Sequence, residues 1–135
     1  MRAALRVLDA YSLIAYLEGE DGKDRMIEIF KVARDSGRPL LLCLVNWGEV
    51  YYIALREAGR ERADQVAHIL STLPIQLVPV EIELAKKAAE LKASKKMSYA
   101  DCFAAALAKL RKAELVTGDR EFKQVENEVK VSWIA

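Results

Sequence analysis

Four acidic residues of this chain, Asp9, Glu49, Asp101 and Asp119, each follow or interrupt an apolar stretch. Acids placed in this way can converge into one anionic pocket when the chain folds. Such a pocket suits hard divalent cations, which prefer oxygen ligands. Water activated by a bound metal is one of the few means by which such a chain could break a phosphodiester bond.

The elements that position these acids are indicated by short apolar runs alternating with longer periodic segments. The runs predict strands at residues 5–8, 40–44, 75–80, 114–116 and 130–134. Helical spacing of apolar residues between them predicts helices, one ending at Gly37, another at Gly59, and one from Tyr99 to Leu110 that is apolar nearly all round. Apolar runs without alternation, separated by helices, are typical of an α/β fold with a parallel sheet covered on both faces.

A parallel sheet gives the four acids a reason to meet. Its strands all end at one edge, and ligands of open α/β sheets bind outside those carboxyl ends. Asp9 and Asp119 lie at two predicted strand ends. Glu49 lies near the start of the helix after the second strand, and Asp101 lies in the first turn of the apolar helix. All four are therefore expected to face one crevice.

Each acid also has a purely structural interpretation. Asp9 fits the N-cap of a helix beginning at Ala10, and the segment 98–101 fits a capping box. Asp119 lies in a plausible turn, and Glu49 could be a solvated helix residue. The joint placement of the acids, rather than any single one of them, favours a functional site.

Other chemistries are disfavoured by what the sequence contains. Its only histidine is His68, expected on a polar helix face, and it has no G-x-S-x-G segment or Gly-rich phosphate loop. Cys43 and Cys102 lie in apolar stretches and are expected to be buried thiols, and no Cys/His cluster indicates zinc. Metal-dependent hydrolysis by carboxylates is the chemistry that remains.

The bulk properties predict one domain, because 135 residues suit a single core. The 21 basic and 20 acidic residues nearly balance, so a nucleic-acid partner would be held by a local basic patch or through metal. No signal peptide is expected, and no apolar run approaches the roughly 18 residues of a membrane span. A reduced, cytoplasmic protein without membrane contact is predicted.

Five segments carry a resemblance to a known family: VLDAYSLI (7–14), NWGEV (46–50), MSYADCFAAALA (97–108), LVTGDREFK (115–123) and VSWI (131–134). With these segments the chain resembles the PIN-domain ribonucleases, specifically the VapC-like toxins of type II toxin–antitoxin pairs. The resemblance covers essentially the whole chain. It implies a single PIN-like nuclease domain over residues 1–135, with a three-layer α/β/α fold around a central parallel sheet of four to five strands.

The resemblance also implies roles for particular residues. Asp9, Glu49, Asp101 and Asp119 would be the catalytic acids and would bind Mg²⁺ or Mn²⁺, with support from the Thr117 hydroxyl. Many relatives carry a small polar residue two positions after the first Asp, where this chain has Tyr11; the hydroxyl of Ser12, one position further on, is the nearest candidate for that support.

Basic residues near the acids are candidates for binding the substrate. Lys95 and Lys96 precede the Asp101 helix and Arg120 follows Asp119, so they could contact phosphates. Ordinary solvated charge is the alternative for each of them.

The function that these expectations describe is an Mg²⁺-dependent endoribonuclease toxin. The resemblance implies that it cleaves RNA to leave a 5′-phosphate and a 3′-hydroxyl, forms a homodimer, and is neutralised by a cognate antitoxin. The alternatives are a non-catalytic RNA- or protein-binding module of the same fold, and a nuclease that acts in RNA processing or on DNA.

Overall fold

The computed structural model describes residues 4–135 of the chain. Within that range, strands and helices alternate along the sequence, and a short 3₁₀ turn precedes the last strand. In chain order the elements are β1 (Arg6–Leu8), α1 (Ala10–Glu18), α2 (Lys23–Ser36), β2 (Leu40–Cys43), α3 (Leu44–Thr72), β3 (Ile75–Val78), α4 (Ile82–Ser94), α5 (Tyr99–Arg111), β4 (Glu114–Thr117), the 3₁₀ turn (Arg120–Val125) and β5 (Val131–Trp133).

The strands form one five-stranded parallel sheet in the order β3-β2-β1-β4-β5. The chain leaves β1 toward β2 and later returns to the other side of β1 as β4. The boundary between β1 and β4 is therefore the point where the winding direction reverses, which is where open parallel sheets bind ligands. In the register of this pair, Leu8 lies beside Val116, so the residues that follow them, Asp9 and Thr117, emerge next to each other.

Helices cover both faces of the sheet. On one face, side chains such as Val7 and Leu115 pack against α4 and α5. On the other, their neighbours Leu8 and Val116 pack against α1, α2 and α3. Consecutive strand residues point to opposite faces, so burial of both faces requires uninterrupted apolar strands. The predicted three-layer α/β/α fold with a parallel sheet is confirmed.

Some predicted boundaries differ from the structure. Leu44, expected to end the second strand, is 43% exposed and begins α3. The third strand ends at Val78 because Pro79 has no N–H to donate to the sheet. The helix end predicted at Gly59 is confirmed: Gly59 breaks the helical geometry with a φ of 88° and a ψ of 177°, so α3 consists of two helical segments that meet at a kink.

None of the helices within residues 4–135 is both long enough and apolar enough to cross a membrane.

Candidate metal centre

The first corner of the site is Asp9, which directly follows β1 and is 1% exposed. It is the N-cap of α1: the Ser12 N–H donates to Asp9 Oδ1 (2.8 Å), and the Ser12 hydroxyl bonds both to the N–H of Asp9 (3.3 Å) and to its carbonyl (3.0 Å). The Thr117 hydroxyl donates to the other carboxylate oxygen, Oδ2. Capping of the helix uses only one carboxylate oxygen of Asp9. The same residue can therefore cap α1 and take part in a functional site. Ser12 supports Asp9 through this capping box.

Thr117 also connects Asp9 to Asp119. Thr117 ends β4 beside Asp9, and its hydroxyl oxygen accepts a hydrogen bond from the Asp119 N–H (3.0 Å). Asp119 then caps the 3₁₀ turn, with its Oδ1 accepting from the N–H of Glu121 (3.0 Å). The two acids that follow β1 and β4 are thus fixed relative to each other through one buried hydroxyl.

Asp101 enters the site from the start of α5. The Ser98 hydroxyl accepts from the Asp101 N–H (3.1 Å) and caps the helix. No bond from the Asp101 carboxylate back to the Ser98 N–H is found among the described residues, so only half of the predicted capping box forms. The carboxylate, in a side chain that is only 9% exposed, is left to face the other acids.

Glu49 is held by a residue that was not among the predicted site residues. Asn46, one turn earlier on α3, is fully buried; its Nδ2 donates to Glu49 Oε1 (3.4 Å) and to the carbonyl of Ala100 (3.0 Å). Ala100 immediately precedes Asp101, so Asn46 connects the helices that carry two of the acids. Its place three residues before Glu49 was the available sequence signal.

The four acids lie close enough for their charges to affect one another's pKa. Burial, together with the nearby charges of Asp119, Asp9 and Glu49, raises the pKa of Asp101 from its ordinary 3.8 to about 7. Burial likewise raises the pKa of Asp9 to about 6 against the opposing hydrogen bonds from Thr117 and Ser12, and burial is the main cause of the raised pKa of Glu49. The charge of Asp119 contributes to all three shifts. No lysine or arginine of residues 4–135 lowers the pKa of these three carboxyls.

A fifth acid, Glu121, lies at the same site and was missed from the sequence. One carboxylate oxygen from each of Asp101, Asp119 and Glu121 lies within 4.8 Å of the others, a spacing that can hold a metal ion. Glu121 is exposed on the 3₁₀ turn, two residues after Asp119. Its proximity to a strand-end acid was the only signal, and the 3₁₀ geometry determines where its side chain lies.

The predicted substrate-binding cations are largely engaged within the protein. Lys95 Nζ pairs with Glu128 (3.4 Å). The Arg120 guanidinium lies 4.9 Å from the centre of the Trp133 ring and donates to the Ala135 carbonyl (3.0 Å). Lys96 is exposed and has no ion pair among the described residues. None of the three contributes to the pKa shifts of Asp9, Glu49 and Asp101, and their role in substrate binding stays a prediction.

Residues that other chemistries would use lie elsewhere, as predicted. Cys43 and Cys102 are buried free thiols, and His68 is exposed on α3.

Known structures share this fold. The chain is 18% identical to a chain of DNA-bound VapBC from Salmonella typhimurium, with a TM-score of 0.77 and coverage of 98% of this chain and 100% of that one. VapBC2 from Rickettsia felis, bound to a DNA fragment from its promoter, gives 15% identity, a TM-score of 0.74 and coverage of 95% and 97%. VapC20 from Mycobacterium tuberculosis, a Sarcin–Ricin loop cleaving toxin, is 17% identical to this chain with a TM-score of 0.71, and the match covers 89% of this chain and 94% of that one.

A family model identifies the family of this chain. No curated protein matches the chain. The family model of the PIN domain matches residues 6–128, a span that includes all five acids of the site. The chain belongs to the PIN domain family.

Proposed function

We propose that this protein is a divalent-metal-dependent endoribonuclease that acts as a toxin and is neutralised by a cognate antitoxin. The observation that supports the proposal most strongly is the clustering of Asp9, Glu49, Asp101 and Asp119, whose charges no lysine or arginine within residues 4–135 compensates. Burying several carboxylates together is unfavourable unless a charge partner is supplied. A bound cation provides that partner, whereas a pocket that only held RNA would repel its phosphates.

The side chains fit Mg²⁺ or Mn²⁺. All the available ligand atoms are carboxylate oxygens, which hard divalent cations prefer, and no thiol or imidazole competes. Asp9 and Asp101 are proposed as direct ligands, and Glu49 and Asp119 as ligands that bind directly or through water. Glu121 adds a further carboxylate on the side of Asp119.

The bound ion would supply a water of lowered pKa and polarisation of the phosphoryl oxygens. The chain's own residues hold the ligands in position: the Thr117 hydroxyl fixes Asp9, the Glu121 N–H fixes Asp119, and the Asn46 amide fixes Glu49. Because the pKa of Asp101 is about 7 in the absence of a cation, this carboxyl is partly protonated at neutral pH. Binding of a cation therefore requires that protons leave the site.

The toxin assignment is supported by the solved relatives. Two of them are VapBC proteins and one is a Sarcin–Ricin loop cleaving toxin. Their identity to this chain is 15–18%, so they support the shared fold, and the extension to RNA cleavage, an antitoxin and a homodimer is part of the proposal. Light scattering would test the homodimer, with an expected mass of twice 15.2 kDa.

The experiment that tests the proposed activity is cleavage of a panel containing tRNA, rRNA fragments and single-stranded DNA, with the fragment ends mapped. The wild type should cut an RNA in Mg²⁺, leave 5′-phosphates and stop in EDTA. Asp101→Asn should be at least 100-fold slower, because a ligand is lost, while Asp21→Asn, a change of an exposed acid outside the site, should cleave normally. Cleavage that continues in EDTA or in Asp101→Asn would overturn the mechanism, and cleavage of DNA alone would overturn the substrate.

The toxin role has a separate test in cells. Expression of the wild type should arrest growth, and expression of Asp101→Asn should not. If the wild type cleaves RNA but its expression does not impair growth, the toxin role is refuted and a nuclease of RNA processing is supported.

A further inference from the structure

Exposed tyrosines accompany the acids of the site. Among the exposed large hydrophobic side chains of residues 4–135, the aromatic ones are Tyr11 (38% exposed), Tyr52 (50%) and Tyr99 (49%). Tyr11 lies two residues after Asp9, Tyr52 three residues after Glu49, and Tyr99 two residues before Asp101. Exposed aromatic rings beside a nuclease site are suited to stacking on unpaired bases.

The three rings differ in what already contacts them. The Arg56 guanidinium lies 5.5 Å from the centre of the Tyr52 ring, and the Phe103 ring lies 4.9 Å from that of Tyr99. Tyr11 instead rests on the bare backbone of Gly118. A Cβ added to Gly118 would lie 2.3 Å from Tyr11 Cε1 and 2.9 Å from Cζ, far inside van der Waals contact.

Gly118 is explained by this contact rather than by its own backbone. Its φ lies outside the left-handed region that favours glycine, so an alanine would meet no conformational strain there. What excludes a side chain is the edge of the Tyr11 ring. Gly118 stands between Thr117 and Asp119, and Tyr11 stands in the first turn of the helix that Asp9 caps. The ring therefore lies against the backbone that joins Thr117 to Asp119.

We propose that Tyr11, seated on Gly118, stacks on an unpaired nucleobase of the RNA and positions the adjoining phosphate at the acid site. This inference rests on the proposed function and adds a substrate-binding residue to it. A ring braced on rigid backbone loses little conformational freedom when a base binds, which favours affinity. Stacking needs an exposed base, so the base at this position of the substrate is unpaired.

The test is the fluorescence of a short single-stranded oligoribonucleotide carrying 2-aminopurine, titrated with protein in Ca²⁺ in place of Mg²⁺. Stacking quenches the probe. The wild type and Tyr11→Phe should bind and quench it equally. Tyr11→Leu should quench less and bind about 5- to 150-fold more weakly, the range expected for loss of one base–aromatic stack.

Gly118→Ala is an independent variant, because its methyl group must displace the ring. It should weaken binding as much as Tyr11→Leu, and the double variant should lose little more, since both changes remove the same contact. Tyr52→Leu is the matched control, an exposed tyrosine whose ring already contacts Arg56, and should stay within about twofold of the wild type. The urea midpoint and the Mn²⁺ affinity of Tyr11→Leu should equal those of the wild type.

Several results would overturn the inference: an unquenched probe with the wild type, equal binding by Tyr11→Leu, or equal losses in Tyr52→Leu and Tyr11→Leu. The proposed cleavage activity is measured separately in Mg²⁺. If the wild type cleaves RNA and Tyr11→Leu binds and quenches the probe normally, only the stacking role is refuted. If quenching depends on Tyr11 but the wild type does not cleave RNA, only the nuclease activity is refuted.

Discussion

Replacing Asp101 with asparagine should make the metal-free protein more stable at neutral pH. Burial and three neighbouring acids raise the pKa of Asp101 from an ordinary 3.8 to about 7. The unfolded chain therefore releases this proton near pH 4 and the folded chain near pH 7. Between these values the folded state binds more protons, so the free energy of unfolding falls as the pH rises. Asparagine has no such charge to bury.

The size of the effect follows from the two pKa values. The difference between 3.8 and about 7 sets a ceiling of about 4 kcal/mol at and above pH 7, at about 1.4 kcal/mol for each pKa unit. Solvent at the mouth of the site screens part of the repulsion, so we expect a gain of about 2 kcal/mol for Asp101→Asn.

The assay is urea unfolding of the EDTA-treated proteins, followed by circular dichroism. At pH 7.5 the midpoint of Asp101→Asn should lie about 1 M above that of the wild type, given a slope of about 2 kcal/mol per molar urea. At pH 4 the midpoints should nearly coincide, because the wild-type carboxyl is then protonated when folded. Mg²⁺ should stabilise the wild type and leave Asp101→Asn almost unchanged.

Asp21→Asn controls for the loss of a negative charge, because Asp21 is exposed in a turn; its midpoint should match that of the wild type at both pH values. An Asp101→Asn protein that is less stable than the wild type at pH 7.5, or a difference that does not vary with pH, would refute the claim that this carboxylate is buried without a charge partner.

Three further predictions concern the residues around the site. Asn46→Ala should lose about 1–3 kcal/mol in urea unfolding, because two half-buried acceptors lose their buried donor, and a calorimetric titration should show weaker Mn²⁺ binding because Glu49 is no longer held. Thr117→Val should raise the pKa of Asp9 in an NMR titration of the metal-free protein, since that hydroxyl bond lowers it, and should weaken metal binding about 10- to 100-fold. Lys112→Gly should stabilise the protein by about 1 kcal/mol with unchanged cleavage, because Lys112 ends α5 with a φ of 52°. Unchanged metal affinity in the first two variants, or a destabilised third, would contradict these accounts.

The convergence of the acids could be predicted from sequence because it depends on sheet polarity. Uninterrupted apolar runs separated by helices indicate parallel strands, and parallel strands end at one edge. The places of Asp9 and Asp119 followed from the ends of those runs. Asp101 followed from the start of an apolar helix whose capping serine is visible in the sequence.

The parts that could not be predicted depend on contacts between distant residues. The sequence indicates that Lys95 is a free cation, whereas in the structure it pairs with Glu128, 33 positions later. Little in the sequence distinguishes Glu121 among the 20 acidic residues, and only the 3₁₀ turn brings it beside Asp101. The fit of Tyr11 on Gly118 likewise requires the register of β1 and β4. Such pairings are set by tertiary packing, which local spacing does not encode.

The most direct test of a metal-binding acid site is a calorimetric titration of the protein with Mn²⁺ at pH 6.5 in two buffers of different ionisation enthalpy. The wild type should bind Mn²⁺ and release protons as it does so, because Asp101 and Asp9 are partly protonated in the free protein. Asp101→Asn should bind at least tenfold more weakly and release fewer protons, and Asp21→Asn should behave as the wild type. A wild type that binds no Mn²⁺, or that binds it as well after Asp101→Asn, would contradict the account.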